Sequence, residues 1–232
     1  MSRRAILASA IILTIGAIGF VLFFTLGSGQ VVFVREDAVL ARDRGEHLLQ
    51  RRLHTTDPVK KAELLTEAIK EFQKAAELKP DFAVAYNMLG HCYIERGQWE
   101  DALKQLDHAI ELKPDYPAAK YNRARVYQRL AVGKTDHAYV DRAIADYKAA
   151  LDSPLAANIK GDLHKALADA YQQKGDLGPA IDILTLYLQE APKAKDAPTV
   201  RRKIRGLQLM RDGTAPPLEA PLAPVPPPPE AN

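Results

Sequence analysis

Catalysis would need a nucleophile beside a base, a cluster of metal ligands or a loop shaped for phosphate, and each leaves a spacing that can be sought in the chain. Ser153 is the only serine after Ser28, which leaves serine acyl chemistry almost no residue to use. Cys92 follows His91 directly, but adjacent residues on a helix diverge by about 100° and do not pair. Cys92 is better placed for packing. His47, His54, His91, His108, His137 and His164 show neither the i, i+4 spacing nor the acidic neighbours of a zinc motif. Asp101, Asp107, Asp141 and Asp146 fall on polar helix faces, and no glycine-rich phosphate loop is present. The expectation is a non-enzyme with no catalytic residues, no metal site and no cofactor, whose work is done by a surface.

Composition agrees with a surface of ordinary charge. The chain has 232 residues, 47% of them hydrophobic, and a formal net charge of +3. Its basic residues are interleaved with acidic ones along amphipathic stretches, and no aromatic-rich strand pattern accompanies them, so nucleic acid is not an expected partner. A single cysteine rules out a disulfide within the chain.

The elements that must position such a surface are clearest between Pro80 and Pro114. Tyr86, Leu89, Gly90 and Tyr93 share one helical face, and after the break at Gly97 the same holds for Ala102, Leu106 and Ala109. Two amphipathic helices in a hairpin follow. The pattern A-x-x-Y-x-x-L-G-x-x-Y-x-x-x-G-x-W-x-x-A-x-x-x-L-x-x-A-x-x-x-x-P, from Ala83 to Pro114, resembles the tetratricopeptide repeat, whose period is about 34 residues. Gly90 and Ala102 are the small residues that let the paired helices approach. Leu89, Tyr93, Trp99 and Leu106 read as packing residues, and Pro114 stops the second helix.

The resemblance extends over about four units, 36–80, 83–116, 117–154 and 161–194. In the first, a helix over 36–53, a capped turn at Thr55 to Pro58 and a helix over 59–78 are expected, with Gly45 as the small residue and the hairpin longer than the repeat requires. In the third, Ala124 and Ala143 lie seven residues further apart than Gly90 and Ala102, which predicts one extra turn on each helix with 133–136 at the tip. The fourth carries Leu167, Ala168, Tyr171, Gly175, Ala180, Leu184, Tyr187 and Pro192 in register. A helix over 196–211, with Val200, Ile204 and Leu207 as its apolar stripe, is expected to cap the open end of the stack. Its basic face offers a second reading, a contact with an anionic membrane or partner. The proline-rich 212–232 cannot form a core and is expected to be a disordered tail with polyproline stretches.

Ahead of the repeats, Ala5 to Leu26 is an apolar run of 22 residues without a charge, preceded by the short basic segment 1–4 with Arg3 and Arg4. This predicts one N-terminal transmembrane helix, followed by a linker over 27–35. A cleaved signal peptide would have a shorter apolar core and a small-x-small site, and Arg3-Arg4 also fits a twin-arginine address. The basic residues favour a cytoplasmic N-terminus, which in a bacterium places the C-terminal part in the periplasm as a single-pass protein of the inner membrane.

The fold class expected is therefore all-α, an α-solenoid of helical hairpins with a capping helix behind one membrane helix. The resemblance implies a concave groove lined by first helices that binds a peptide or helix of another protein. Its candidate residues here are Asn87, His91, Glu95, Tyr121, Asn122, Arg125, Arg129, Lys165, Asp169 and Gln172. Family members that clamp a C-terminal carboxylate use a particular set of Lys, Arg and Asn, of which Asn122 alone is matched. The expected function is a membrane-tethered scaffold that helps assemble a membrane or envelope complex, with partners on the groove, the bilayer at Ala5 to Leu26, and self-association possible through the solenoid ends. The alternatives are a chaperone-like factor of secretion or envelope assembly and a non-catalytic accessory subunit of a membrane enzyme.

Overall fold

The first two helices start at aspartate caps, the second with a proline in its first turn. The Asp37 carboxylate accepts from the Leu40 amide at 2.7 Å and opens α1 (Ala38–His54). The Asp57 carboxylate accepts from Val59 at 2.9 Å and, with Pro58 in the first turn, opens α2 (Pro58–Leu78). The chain continues with α3 (Ala83–Arg96), α4 (Trp99–Leu112), α5 (Pro117–Leu130), α6 (Ala138–Leu151), α7 (Lys160–Lys174), α8 (Leu177–Glu190) and α9 (Ala197–Arg211). Gly97 at φ 73° and Gly175 at φ 91° end α3 and α7 in the left-handed conformation, which lets the partner helix begin two residues later. This computed structural model describes residues 21–25, 31–35, 37–135 and 137–214.

The helices fall into two compact units, one up to Val126 and one from Tyr127. In the first, α1 pairs with α2 and α3 with α4, and α2 packs on α3. Leu65, Ala68, Ile69, Phe72, Leu89 and Cys92 form its central cluster, flanked by Leu48, Leu49, Tyr86 and Tyr93. Gly90 lies so close to α4 that a Cβ there would sit 2.5 Å from Leu106 Cγ, and one on Gly45 would sit 2.6 Å from the Phe72 ring. Only hydrogen fits at either place, which is how the long first hairpin closes like the shorter one after it.

In the second unit, α6 packs on α7 and α7 on α8. Tyr147 is fully buried, and its hydroxyl donates to Gln128 Oε1 at 2.6 Å. Ala168, Ala180, Ile181, Leu184 and Tyr187 close the far end with Val200 and Leu207 of α9, while Ile204 packs partly buried beside them. The turn from α6 to α7 is a 3-10 helix, Pro154–Ile159, capped by the Ser153 hydroxyl, which accepts from Leu155 N at 3.1 Å.

Two expectations are corrected. Val21–Thr25, within the run expected to form a membrane helix, form strand β1, paired antiparallel with β2 (Val31–Arg35) in the expected linker, with Phe23 opposite Phe33. Both segments are β-branched and aromatic, and two glycines, Gly27 and Gly29, separate them in sequence, so local propensity favours a hairpin there. Residues 5–20 and 26 of the apolar run lie outside the described residues, as do 1–4 and the tail from 215. No helix among the described residues is long and apolar enough to cross a membrane.

The second correction concerns the third repeat. Helices α5 and α6 have 14 residues each, the same as α3 and α4. The extra residues therefore do not lengthen the helices by a turn apiece. Most lie in the connection after Leu130, where backbone bonds from Val132 N to Arg129 O and from Lys134 N to Ala131 O wind the chain off α5 in tight turns.

Candidate functional site

In the first unit the first helices of successive hairpins are tied side by side through polar groups. Arg52 of α1 meets Glu95 of α3 at 3.1 Å. Asn122 Nδ2 of α5 donates to Asn87 Oδ1 of α3 at 3.0 Å, and both side chains are buried. Arg123 anchors α5 to Asp107 of α4 at 2.8 Å. The helical repeat brings these contacts to one side because Asn87, His91 and Glu95 are spaced by four, as are Tyr121 and Arg125. Asn87, Asn122, His91, Glu95, Tyr121 and Arg125, read from the sequence, are thus brought onto linked helices.

Their electrostatics differ from residue to residue. Burial lowers the His91 pKa; Glu95 opposes this, and Arg125 and Arg52 add to it. The imidazole is therefore neutral at pH 7. Burial raises the phenol of Tyr116 while its bond to Asn87 acts the other way, and the Cys92 thiol is pushed up to about 12 by burial, so this cysteine is no nucleophile at neutral pH. Arg52 is matched by Glu95, but its buried Nε has no hydrogen-bond partner among the described residues. Arg125 lies over the Tyr121 ring at 5.8 Å and reaches Asn122 Oδ1 at 3.5 Å. It has no carboxylate partner among the described residues, and is an unbalanced positive charge on this face.

Arg52 and Tyr116 were not among the residues picked from the sequence. Arg52 belongs to the first hairpin, whose departure from the repeat pattern hides its register, and Tyr116 precedes the helix it serves. A further open cavity of about 450 Å³ lies between α1 and α3, lined by Asp43, Glu46, His47, Leu49, Gln50 and Met88.

The candidates in the second unit are engaged differently. Lys165 bridges Asp162 at 3.1 Å and Asp196 at 2.8 Å. Its bond to Asp196 holds the ammonium above the usual lysine range, and Asp196, bonded also by the Tyr187 hydroxyl at 2.6 Å, is held below the usual carboxylate range. Asp169 is ion-paired with Lys203 of α9. Lys165 and Asp169 thus tie α7 to the chain around α9. Gln172 is half-buried and Arg129 exposed. Neighbouring Gln173 donates to the Gln128 carbonyl at 3.1 Å. Among the described residues no group of three or more His, Cys, Asp or Glu could hold a metal ion.

The family model described as tetratricopeptide repeat matches residues 61–126, from α2 into α5. No curated protein sequence matches the chain. Among solved structures, the MamA protein aligns with a TM-score of 0.55 at 16% identity, over 76% of this chain and 85% of that one. A thermophilic tetratricopeptide-repeat protein of Thermus thermophilus aligns with a TM-score of 0.52 at 23% identity, over 74% and 99%. The APC/C hetero-tetramer Cut9–Hcn1 aligns with a TM-score of 0.56 at 19% identity, over 72% of this chain and 30% of that one. At these identities the likeness is one of fold.

Proposed function

We propose that the chain is a membrane-tethered, non-catalytic scaffold whose first-helix face holds an extended segment or helix of another protein and so helps assemble a membrane complex. Proteins of the tetratricopeptide-repeat family generally mediate protein–protein interaction, and Cut9–Hcn1 is itself a hetero-tetramer by its description. The observation that carries the reading is Arg125, a guanidinium stacked on Tyr121 beside the neutral His91, with no acid of its own among the described residues. Arginine and tyrosine are the usual anchors of interfaces, each worth about 2 kcal/mol or more. An acidic segment is the ligand this charge favours.

The tether lies in the apolar run that begins at Ala5, ahead of strand β1, and the orientation that follows from Arg3 and Arg4 is N-terminus in the cytoplasm, with the repeats periplasmic in a bacterium. Affinity capture from solubilised membranes tests the binding face: Arg125→Glu should lose the partner while helicity and melting stay those of the parent. Equal loss of melting temperature and partner would make Arg125 a structural residue and remove this face as the site.

A further inference from the structure

The last helix carries a charge pattern that the fold fixes in place. Over its 15 residues α9 has Arg201, Arg202, Lys203, Arg205 and Arg211 and no aspartate or glutamate. Its apolar side is already used: Val200 and Leu207 are buried against Leu184 and Tyr187. The opposite side must face outward, and Arg201, Arg202 and Arg205 are all exposed. Of the basic groups, Lys203 is taken by Asp169 and Arg211 by Asp212. The nearest preceding acid, Asp196, is taken by Lys165 and the Tyr187 hydroxyl. Arg201 and Arg205, together with exposed Lys193 and Lys195 just ahead of the helix, have no ion pair among the described residues.

We propose that this outward face of α9 docks on the anionic headgroups of a bilayer. Several features point to lipid. The cations are presented by a rigid helix without interspersed acids, as a planar array of negative headgroups favours. Arginine stays protonated at any physiological pH. The same chain also carries the uncharged 22-residue run at Ala5 to Leu26. Because Val200 and Leu207 are committed to the protein core, α9 cannot roll its apolar side into the membrane as a free amphipathic helix would. The contact is electrostatic and superficial, so it should be abolished by salt. The inference rests on the tethered reading only for bringing α9 near a membrane.

Gln208 continues the row of Arg201 and Arg205 and is exposed, whereas native Cys92 is fully buried, so a fluorophore placed by Gln208→Cys in the full-length chain reports on this face. The chain is reconstituted into vesicles of phosphatidylcholine alone or with about a third phosphatidylglycerol, both with a headgroup nitroxide as quencher. Docking predicts quenching only on the anionic vesicles, lost at high salt. Each cation near such a surface contributes about fivefold to partitioning, so Arg201→Gln with Arg205→Gln should lower the docked-to-free ratio by about 25-fold. The paired glutamate changes, which also add negative charge, should lower it further, with unchanged melting.

Equal quenching on both lipids, none on the anionic one, or indifference to the reversal overturns the proposal. Binding of soluble polyglutamate at the label without lipid quenching overturns it in favour of an acidic protein. Flotation with the neutral vesicles separately tests the anchor, so failure of the tether and failure of the docking are told apart.

Discussion

At the scale of single residues, the close approaches at Gly45 and Gly90 and the burial of His164 have measurable consequences. Gly45→Ala and Gly90→Ala would each press a methyl group into Phe72 or Leu106, both fully buried. Each should cost about 1–3 kcal/mol in the denaturation midpoint. Gly206, inside α9, has nothing within 4 Å of the position a Cβ would take, so Gly206→Ala should gain about 0.5–1 kcal/mol from helix propensity. A loss at Gly206, or neutrality at Gly90, would contradict this packing. His164 is 2% exposed, with Nδ1 3.8 Å from Glu190 Oε2 and lacking a hydrogen bond, and burial lowers its pKa against the opposing pull of Glu190. The unfolded imidazole titrates near 6.5. As the pH falls through that value the unfolded chain takes up a proton that the folded state resists, so stability is lost on acidification and is full above it. Melting temperature should fall from pH 7 to pH 5, and His164→Phe should flatten part of that slope, His91 accounting for some of the rest.

At the scale of elements, α9 is held by Val200 and Leu207 and by the Asp196 junction. Leu207→Ala should cost about 2–5 kcal/mol, and hydrogen exchange should show α9 losing protection before α6. Unchanged protection would mean that the junction at Asp196 holds the helix without its apolar stripe. Much of this level was legible in the sequence. The 3.6-residue periodicity placed α2, α3, α4, α7 and α8, and Asp57-Pro58 and Gly97 marked where helices start and stop. The connection between α5 and α6 was not legible, since residue spacing says how many residues are inserted but not whether backbone bonds extend a helix or close a turn. The strands β1 and β2 were hidden because an apolar run of β-branched and aromatic residues satisfies a bilayer helix and a hairpin equally well. In the candidate site, repeat register located Asn87, His91 and Arg125. It could not reveal that the Asn122 amide donates to Asn87 Oδ1, or that Lys165 and Asp169 bind the chain around α9, because partners from other helices depend on side-chain reach.

At the scale of the whole molecule, the proposed tether and orientation have a direct test: protease added to intact spheroplasts should digest the repeats and spare a cytoplasmic control. Protection of the repeats would reverse the orientation, and a mature N-terminus after Leu26 would remove the anchor. The thiol of Cys92, with no accessible surface among Leu65, Phe72 and Leu89, has a use at this scale. A reagent that attacks only thiolate cannot reach it until α2 and α3 part, and burial keeps the thiol protonated until then. The rate of its modification is thus a clock for the opening of the N-terminal unit, read without adding a probe. Comparing that clock with global unfolding tells whether the unit opens alone or only when the entire chain does.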